Sequence, residues 1–209
     1  LGGRRIIKKK TALARELEKL ANGLFPVELA FDLDAAARAR NDAGLDALLA
    51  RIAAPRAADP ALAPWIDGLF GGDRERGKAV FREKNATACL RCHKTEWDEG
   101  GTVGPDLRGV GKRLSRLQIL ESIVQPNRHV AAGYRSTVFA LKDERVVEGR
   151  VLAEDERAFR VLDSDGRTQE LLKTDVEEHR DGRSAMPEGL EKFLTPAEMR
   201  DLIEYLVAI

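Results

Sequence analysis

Apolar residues recur at helical spacing through the first third of the chain. Four leucines stand three or four positions apart and predict an amphipathic helix: Leu13, Leu17, Leu20 and Leu24. Gly23 is suited to end that helix, and Pro26 suits the first turn of a second one. A third helix is predicted near residues 45–53, followed by a linker that contains several prolines. The sequence therefore predicts a helical N-terminal region over residues 1–72.

Residues 134–181 follow a different pattern, rich in Val, Leu and Phe and broken by short polar turns. Four strands are predicted there: Tyr134–Leu141, Val146–Leu152, Ala158–Leu162 and Gln169–Leu172. The flanking segments, 73–133 and 182–209, again show helical spacing, and Thr195 begins the last helix with a capping box. The predicted fold class is mainly α, with a small antiparallel β insertion in a domain formed by 73–133 plus 182–209.

Composition narrows the class of protein. The 209 residues include 35 Lys and Arg against 35 Asp and Glu, a balance that disfavours a nucleic-acid-binding protein. No apolar run approaches the roughly 20 residues that span a bilayer, so no transmembrane segment is expected. Two cysteines are too few for a disulfide-stapled scaffold. No Ser/His/Asp grouping, phosphate loop or paired carboxylate motif is evident, and we expect no catalytic site in the chain.

Both cysteines lie in one short motif, Cys89-Leu90-Arg91-Cys92-His93. On a helical turn, two thiols separated by two residues can add to the two vinyl groups of one haem and form thioethers. The histidine that follows then lies under the iron as an axial ligand. Covalent attachment of a c-type haem is the usual meaning of this pattern. The sequence therefore predicts one haem c, held by Cys89, Cys92 and His93.

Three other interpretations of the motif are open. A thioredoxin-like redox pair would follow a buried strand, whereas residues 83–88 are mostly polar. A zinc site needs about four ligands, and only His129 and His179 remain to complete one. The thiols could also be inert.

The sixth position on the iron has four candidate donors in the sequence: Met186, Met199, His129 and His179. Met186 is favoured because it lies in an irregular loop that Pro187 stiffens. Met199 falls inside the last helix, where core packing is the commoner role, and the two histidines stand in polar stretches. An open position is the remaining alternative. A carbonyl of the glycine-rich loop, most simply that of Pro105, is expected to accept a hydrogen bond from His93.

These residues resemble class I cytochrome c. The shared features are Gly77 and Phe81 on the first helix, the Cys89–His93 motif, Gly104-Pro105-x-Leu107, Met186-Pro187, and Leu202-x-x-Tyr205-Leu206. The resemblance implies a cytochrome c-like haem domain in which His93 and Met186 bind the iron and Pro105 accepts the His93 hydrogen bond. It also implies that a basic residue, Arg113 or Lys112, meets a haem propionate.

The long interval between His93 and Met186 departs from a minimal cytochrome c and contains the predicted β insertion. The whole arrangement is similar to the haem-binding C-terminal domain of a group of large membrane-bound dehydrogenases of bacteria. The matching segments are Gly104-Pro105-Asp106-Leu107, Gly133-Tyr134 and Met186-Pro187-Glu188-Gly189-Leu190. The resemblance covers residues 55–209 well and 1–54 in helical character alone. It implies that an upstream dehydrogenase domain or a redox partner protein delivers electrons.

The first hypothesis for function is a monohaem c-type cytochrome domain that transfers single electrons as the outlet of a larger dehydrogenase. Methionine ligation raises the reduction potential of a haem, which suits a domain that accepts electrons. The alternatives are a haem-based ligand-binding or sensor module and an interaction module with a structural haem. Covalent haem is assembled outside the cytoplasm, so a periplasmic or other extracytoplasmic location is expected. The chain is then expected to be a piece of a longer protein whose export signal precedes Leu1.

Overall fold

The computed structural model describes residues 2–53, 59–95 and 99–209, so part of the predicted proline-containing linker lies outside the described residues. Contacts divide the chain into two compact units. The first comprises Leu1–Val80, Leu114–Leu120 and Leu194–Ala208, and the second comprises Phe81–Arg113, Glu121–Phe193 and Ile209. Within the described ranges, no helix combines the length and the apolar character that a membrane span requires.

Three helices build the N-terminal part of the first unit: α1 (Gly2–Ala21), α2 (Ala30–Arg38) and α3 (Ala43–Ala53). Gly23, directly after α1, has a φ of +70°, and a 3₁₀-helix over Val27–Leu29 leads into α2. The buried core between the three helices is apolar throughout and consists of Leu17, Leu20, Ala30, Leu33, Ala37, Leu45, Leu49 and Ile52. The helices predicted from apolar spacing are therefore present.

The first unit also contains a helix crossing. After a 3₁₀-helix over Ala63–Gly68, α4 (Arg74–Glu83) meets α8 (Pro196–Ala208) at Gly77. A Cβ atom on Gly77 would lie 1.9 Å from the backbone carbonyl oxygen of Asp201. The two backbones therefore approach as closely as a glycine permits.

Polar contacts stabilise this crossing. The Asp201 side chain is 6% exposed and accepts hydrogen bonds from the Asp73 N–H and from Arg76 Nε, each over 2.7 Å. The helix α8 begins with the predicted capping box. Glu198 accepts from the Thr195 N–H (2.8 Å) and donates its own N–H to Thr195 Oγ1 (3.2 Å).

Three short helices follow α4 in the chain: α5 (Cys89–Cys92), α6 (Val110–Arg113) and α7 (Arg116–Val124). The second unit then contains five strands: β1 (Arg135–Leu141), β2 (Val146–Glu154), β3 (Ala158–Leu162), β4 (Thr168–Leu172) and β5 (Val176–Ser184). They form one antiparallel sheet in the order β4-β3-β2-β1-β5. A 3₁₀-helix over Leu190–Phe193 separates the sheet from α8.

The sheet is rolled, because its two edge strands are joined by residues 173–175 alone. In a flat sheet, β4 and β5 would stand four strand spacings apart, or about 19 Å. Four residue steps span at most about 14 Å, so the edges must approach each other. The concave interior is apolar and holds Phe139, Leu141, Phe159, Val161 and Leu171.

The first and last strands of the sheet are neighbours. Strand β1 pairs antiparallel with β5, and Arg135 at the start of β1 lies opposite Ser184 at the end of β5. The chain therefore enters and leaves the sheet at the same place.

The expected fold class is wrong. The structure is 44% helix and 18% strand, and its five-stranded sheet forms a substantial α/β domain with a core of its own. It is neither mainly α with a small β insertion nor a small cytochrome c-like helical fold. The predicted strands correspond to β1–β4, whereas β5 was missed. In β5, Val176 is followed by a run of charged and polar residues, so no apolar alternation marks it as a strand.

Candidate haem-attachment site

The two cysteines lie on a single helical turn, α5. Ala88, in the left-handed conformation (φ 45°, ψ 38°), precedes the turn, and the His93 N–H donates to the carbonyl oxygen of Cys89 over 3.1 Å. Residues three apart lie on the same side of a helix, so Cys89 and Cys92 are presented together. Both thiols are free and half-buried. This is the presentation that attachment to the two vinyl groups of one porphyrin would need.

Backbone hydrogen bonds hold the glycine-rich loop against this turn. The N–H groups of Gly101 and Gly104 donate to the carbonyl oxygens of Leu90 (3.0 Å) and Cys92 (2.9 Å). A Cβ atom on Gly101 would lie 1.9 Å from the Arg91 carbonyl oxygen, so the approach requires glycine. The loop therefore runs back along the motif at backbone contact distance.

This loop also orients the His93 ring. A Cβ atom on Gly104 would lie 2.5 Å from the ring atom Cε1, so the loop backbone packs directly on the imidazole. The ring atom Nδ1 lies 2.8 Å from the Pro105 carbonyl oxygen. Because a carbonyl oxygen can only accept, Nδ1 carries the proton and donates it, and the lone pair of Nε2 is left for a metal. The loop thus selects the tautomer that an axial histidine needs.

The pKa shifts of His93 and of the two thiols bear on whether the motif binds a metal or acts as a redox pair. Burial lowers the pKa of His93, and the hydrogen bond to Pro105 opposes that effect. The imidazole is therefore neutral at pH 7, which is the form that binds a metal. Burial also raises the pKa of the Cys89 and Cys92 thiols. A thioredoxin-like pair instead needs a thiol of lowered pKa, so the structure disfavours that interpretation.

The thiols and the imidazole do not converge on a single ion. Among the described residues, no group of three or more His, Cys, Asp and Glu side chains is placed to hold a metal. A four-ligand zinc site would require such convergence. A haem requires the opposite arrangement, because the sulfurs bond to the edge of the macrocycle and the imidazole to its centre. Two thiols on one turn, followed by an imidazole whose Nδ1 is already engaged, are the donor set that a covalently attached haem would use.

The other candidate ligands have different surroundings. Met199 is 1% exposed and belongs to the core of the first unit, which is the role expected for it. His129 is exposed. The His179 ring in β5 lies 5.7 Å from the Phe139 ring and 5.4 Å from the Phe159 ring, measured between centroids.

Arg113 is the last residue of α6, the helix that follows the glycine-rich loop. Its guanidinium donates to the carbonyl oxygens of Arg108 (2.6 Å) and Asp106 (3.1 Å). The structure thus brings Arg113 to the loop that carries Pro105, and Arg113 and the neighbouring Lys112 are both exposed. Binding of a propionate by either residue stays a prediction.

Met186 lies between β5 and the following 3₁₀-helix and is half-buried. Its N–H donates to Ser184 Oγ over 3.2 Å. Asn127, just after α7, contacts the loop on both sides of this methionine. Its Oδ1 accepts from the Ser184 N–H (2.8 Å), and its Nδ2 donates to Glu188 Oε1 (2.6 Å). The sequence did not indicate these contacts, because an amide side chain in a polar turn has no distinctive pattern.

The sheet contacts the motif and its loop in two places that the sequence also did not indicate. Arg91 pairs with Asp165 over 2.8 Å, and both side chains are mostly exposed. Arg150 in β2 donates to the Thr102 carbonyl oxygen over 2.9 Å, and its guanidinium lies 4.5 Å from the centre of the Tyr134 ring. The sheet therefore supports the glycine-rich loop from outside.

No model of a known protein family matches the chain, and no curated protein matches it.

Proposed function

We propose that the chain is a monohaem c-type cytochrome, which holds one haem covalently and transfers single electrons. The observation that carries the proposal is the geometry of His93. Its Nδ1 donates to the Pro105 carbonyl oxygen over 2.8 Å, which leaves the lone pair on Nε2, and His93 directly follows two thiols on one helical turn. This combination supplies an edge attachment and a central ligand to the same porphyrin.

Cys89 and Cys92 are the proposed attachment residues. Each sulfur would bond to one vinyl carbon and its thiol hydrogen would go to the other carbon, so the addition would need no oxidant. It does need reduced thiols, and both cysteines are free. Their raised pKa values also keep them protonated at neutral pH, which slows the thiolate attack that disulfide exchange requires.

His93 and Met186 are the proposed axial ligands. When bound, haem supplies a one-electron iron couple whose potential depends on these ligands. His93 binds without losing a proton, because its imidazole is neutral and its Nδ1–H is already engaged. If Met186 also bound the iron, its thioether would take the position that a substrate or gas would otherwise use. That arrangement favours electron transfer over catalysis or gas sensing.

The partner and the compartment belong to the same proposal. An upstream dehydrogenase domain or a separate redox protein delivers the electrons, in keeping with the resemblance to haem-binding domains of bacterial membrane-bound dehydrogenases. The compartment is periplasmic or otherwise extracytoplasmic, because haem c is attached there. Arg113 remains the proposed propionate partner, supported by its position beside the loop that holds Pro105.

The test is to produce the full chain, with an export signal added, in a bacterium that carries the cytochrome c maturation machinery. A denaturing gel stained for haem is expected to show a coloured band at the mass of the chain. The matched control is Cys89→Ala/Cys92→Ala, from which acid–acetone is expected to extract all haem. A wild-type chain that is colourless, or that loses its haem to acid–acetone, would overturn the proposal.

The visible spectrum of the same material separates electron transfer from ligand binding. We expect a methionine-to-iron charge-transfer band in the oxidised protein and no carbon monoxide adduct after reduction. Rapid carbon monoxide binding by the reduced wild-type protein would instead establish a sensor or ligand-binding module.

A further inference from the structure

We infer that Asn127 is a positioning residue for the distal loop, by which we mean residues 184–188 with Met186 at their centre. The inference rests on the proposed function and deepens it, because it assigns the side chain that fixes how the loop presents its thioether sulfur. Asn127 itself is not placed on the iron.

Both polar atoms of the Asn127 amide are used in this contact. Oδ1 accepts a hydrogen bond from the Ser184 N–H over 2.8 Å, and Nδ2 donates to Glu188 Oε1 over 2.6 Å. Ser184 precedes Met186 by two residues, and Glu188 follows it by two. A single side chain therefore links the two ends of the distal loop, and it does so with one acceptor and one donor.

The elements on either side of the loop are themselves fixed. Ser184 ends β5 and is paired with Arg135 of β1, and its Oγ accepts the Met186 N–H over 3.2 Å. Asn127 is half-buried and follows the buried Pro126, in a turn closed by the bond from the Arg128 N–H to the Gln125 carbonyl oxygen (2.9 Å). The Asn127 amide thus connects a stable turn to the edge of the sheet, with Met186 between its two contacts.

A tied loop matters because a thioether is a weak donor that other ligands can displace from iron. Displacement requires the loop to move, and a loop that is already ordered pays less entropy to hold its sulfur in place. A net contribution of about 1 kcal/mol from one hydrogen bond corresponds to a roughly fivefold change in a binding constant. Loss of the Asn127 contacts is therefore measurable as tighter binding of a competing ligand.

Asn127→Asp separates the two halves of the contact. A carboxylate at position 127 can still accept from the Ser184 N–H, but it cannot donate to Glu188 and repels it. In the double variant Asn127→Asp/Glu188→Gln, the donor and acceptor exchange places and the carboxylate repulsion is removed. The single substitution is therefore expected to loosen the distal loop, and the double substitution to restore it.

The experiment measures imidazole binding to the oxidised, haem-loaded full chain at one fixed pH, together with the methionine-to-iron band. We expect Asn127→Asp to bind imidazole roughly fivefold more tightly than wild type, and the double variant to return towards wild type. The matched control is Asn22→Asp. Asn22 is exposed and lies in the first unit, where its Nδ2 donates to the Glu18 carbonyl oxygen over 2.8 Å. The control is expected to leave the affinity unchanged.

Hydrogen exchange at the Met186 amide gives a second measurement that does not depend on haem. We expect faster exchange in Asn127→Asp than in wild type, in haem-loaded and haem-free chains alike. Glu188→Ala removes the same hydrogen bond from its exposed partner and is expected to act in the same direction, should Asn127→Asp fold poorly.

Unchanged imidazole affinity and unchanged Met186 exchange in Asn127→Asp and Glu188→Ala would overturn the inference and leave the proposed function standing. An effect of equal size in Asn22→Asp would also overturn it. A wild-type protein without the methionine band would refute the His/Met assignment instead, and Met186 exchange would still decide whether Asn127 holds the loop.

Discussion

The carbonyl oxygen of Asp201 occupies the space beside Gly77 that any larger residue would need. A Cβ atom there would lie 1.9 Å from this oxygen and 2.5 Å from its carbon. Both are backbone atoms of α8 and cannot rotate away. The distance between α4 and α8 is therefore set by the absence of a side chain at position 77.

Gly77→Ala is expected to destabilise the protein. Alanine favours a helix over glycine by up to about 1 kcal/mol, but overpacking a close contact costs about 1–3 kcal/mol or more, and the clash here is with backbone. We expect a net loss of about 1–3 kcal/mol in the free energy of unfolding, measured by urea titration. Gly68→Ala is the control, because its Cβ would make only ordinary van der Waals contacts, the nearest with Arg200 Cβ at 3.5 Å. Equal losses in the two variants would contradict the prediction.

Gly104→Ala is expected to displace the His93 ring, because the new methyl group would lie 2.5 Å from Cε1 and 2.7 Å from Nδ1. The hydrogen bond from Nδ1 to the Pro105 carbonyl oxygen would then lengthen or break. Nitrogen NMR of the ring would report this as a shift from a single tautomer to a mixture. In Pro105→Ala the backbone carbonyl remains, so that variant is expected to keep the wild-type tautomer. A ring unaffected by Gly104→Ala would refute the prediction.

The thiols are expected to react slowly at neutral pH in the haem-free chain. Burial raises the pKa of Cys89 and Cys92, and the thiolate is the form that iodoacetamide alkylates. The alkylation rate should therefore rise only at a higher pH than for a cysteine in an unfolded peptide. Denaturant should bring the midpoint back to the peptide value. A midpoint below the peptide value would revive the interpretation of the motif as a redox pair.

Arg150 is expected to stabilise the glycine-rich loop more than Arg91 does. Arg150→Met removes the hydrogen bond to the Thr102 carbonyl oxygen and the contact with the Tyr134 ring. We expect a loss of about 1–2 kcal/mol in the free energy of unfolding. The pair that Arg91 forms with Asp165 is exposed on both sides, so Arg91→Met should cost less than about 0.5 kcal/mol.

Hydrogen exchange provides the local measurement for the same pair of variants. The Gly104 N–H, which donates to the Cys92 carbonyl oxygen, should exchange faster in Arg150→Met than in Arg91→Met. Equal exchange rates would show that the contact from β2 does not support the loop.

The elements of the fold that could be predicted are those in which apolar side chains mark the buried positions. Strand β3 contains the buried residues Phe159 and Val161, and its own sequence is apolar enough to predict a strand. Strand β5 is held at the sheet edge by backbone hydrogen bonds to β1, and such bonds need no particular side chains. Its polar sequence therefore gave no indication of a fifth strand, and the fold class was wrong as a result.

The site divides in the same way. The Cys89–His93 motif and the Pro105 carbonyl lie within a short stretch of chain, so the chemistry of the residues was enough to expect their contact. Asn127 and Ser184 are far apart in sequence and meet because the chain returns from the sheet to its starting point. A contact of this kind depends on the topology of the chain, which cannot be predicted from residue types and their spacing.

Because Arg135 and Ser184 are paired, the segment that forms the rolled sheet begins and ends at neighbouring positions. Paired Cα atoms in adjacent strands stand only about 5 Å apart, so a link of one or two residues would bridge the two ends of this segment. The number of residues in the sheet therefore does not determine how far apart the two flanking segments lie. Evolution could enlarge, trim or remodel these strands and leave residues 134 and 185 where they stand.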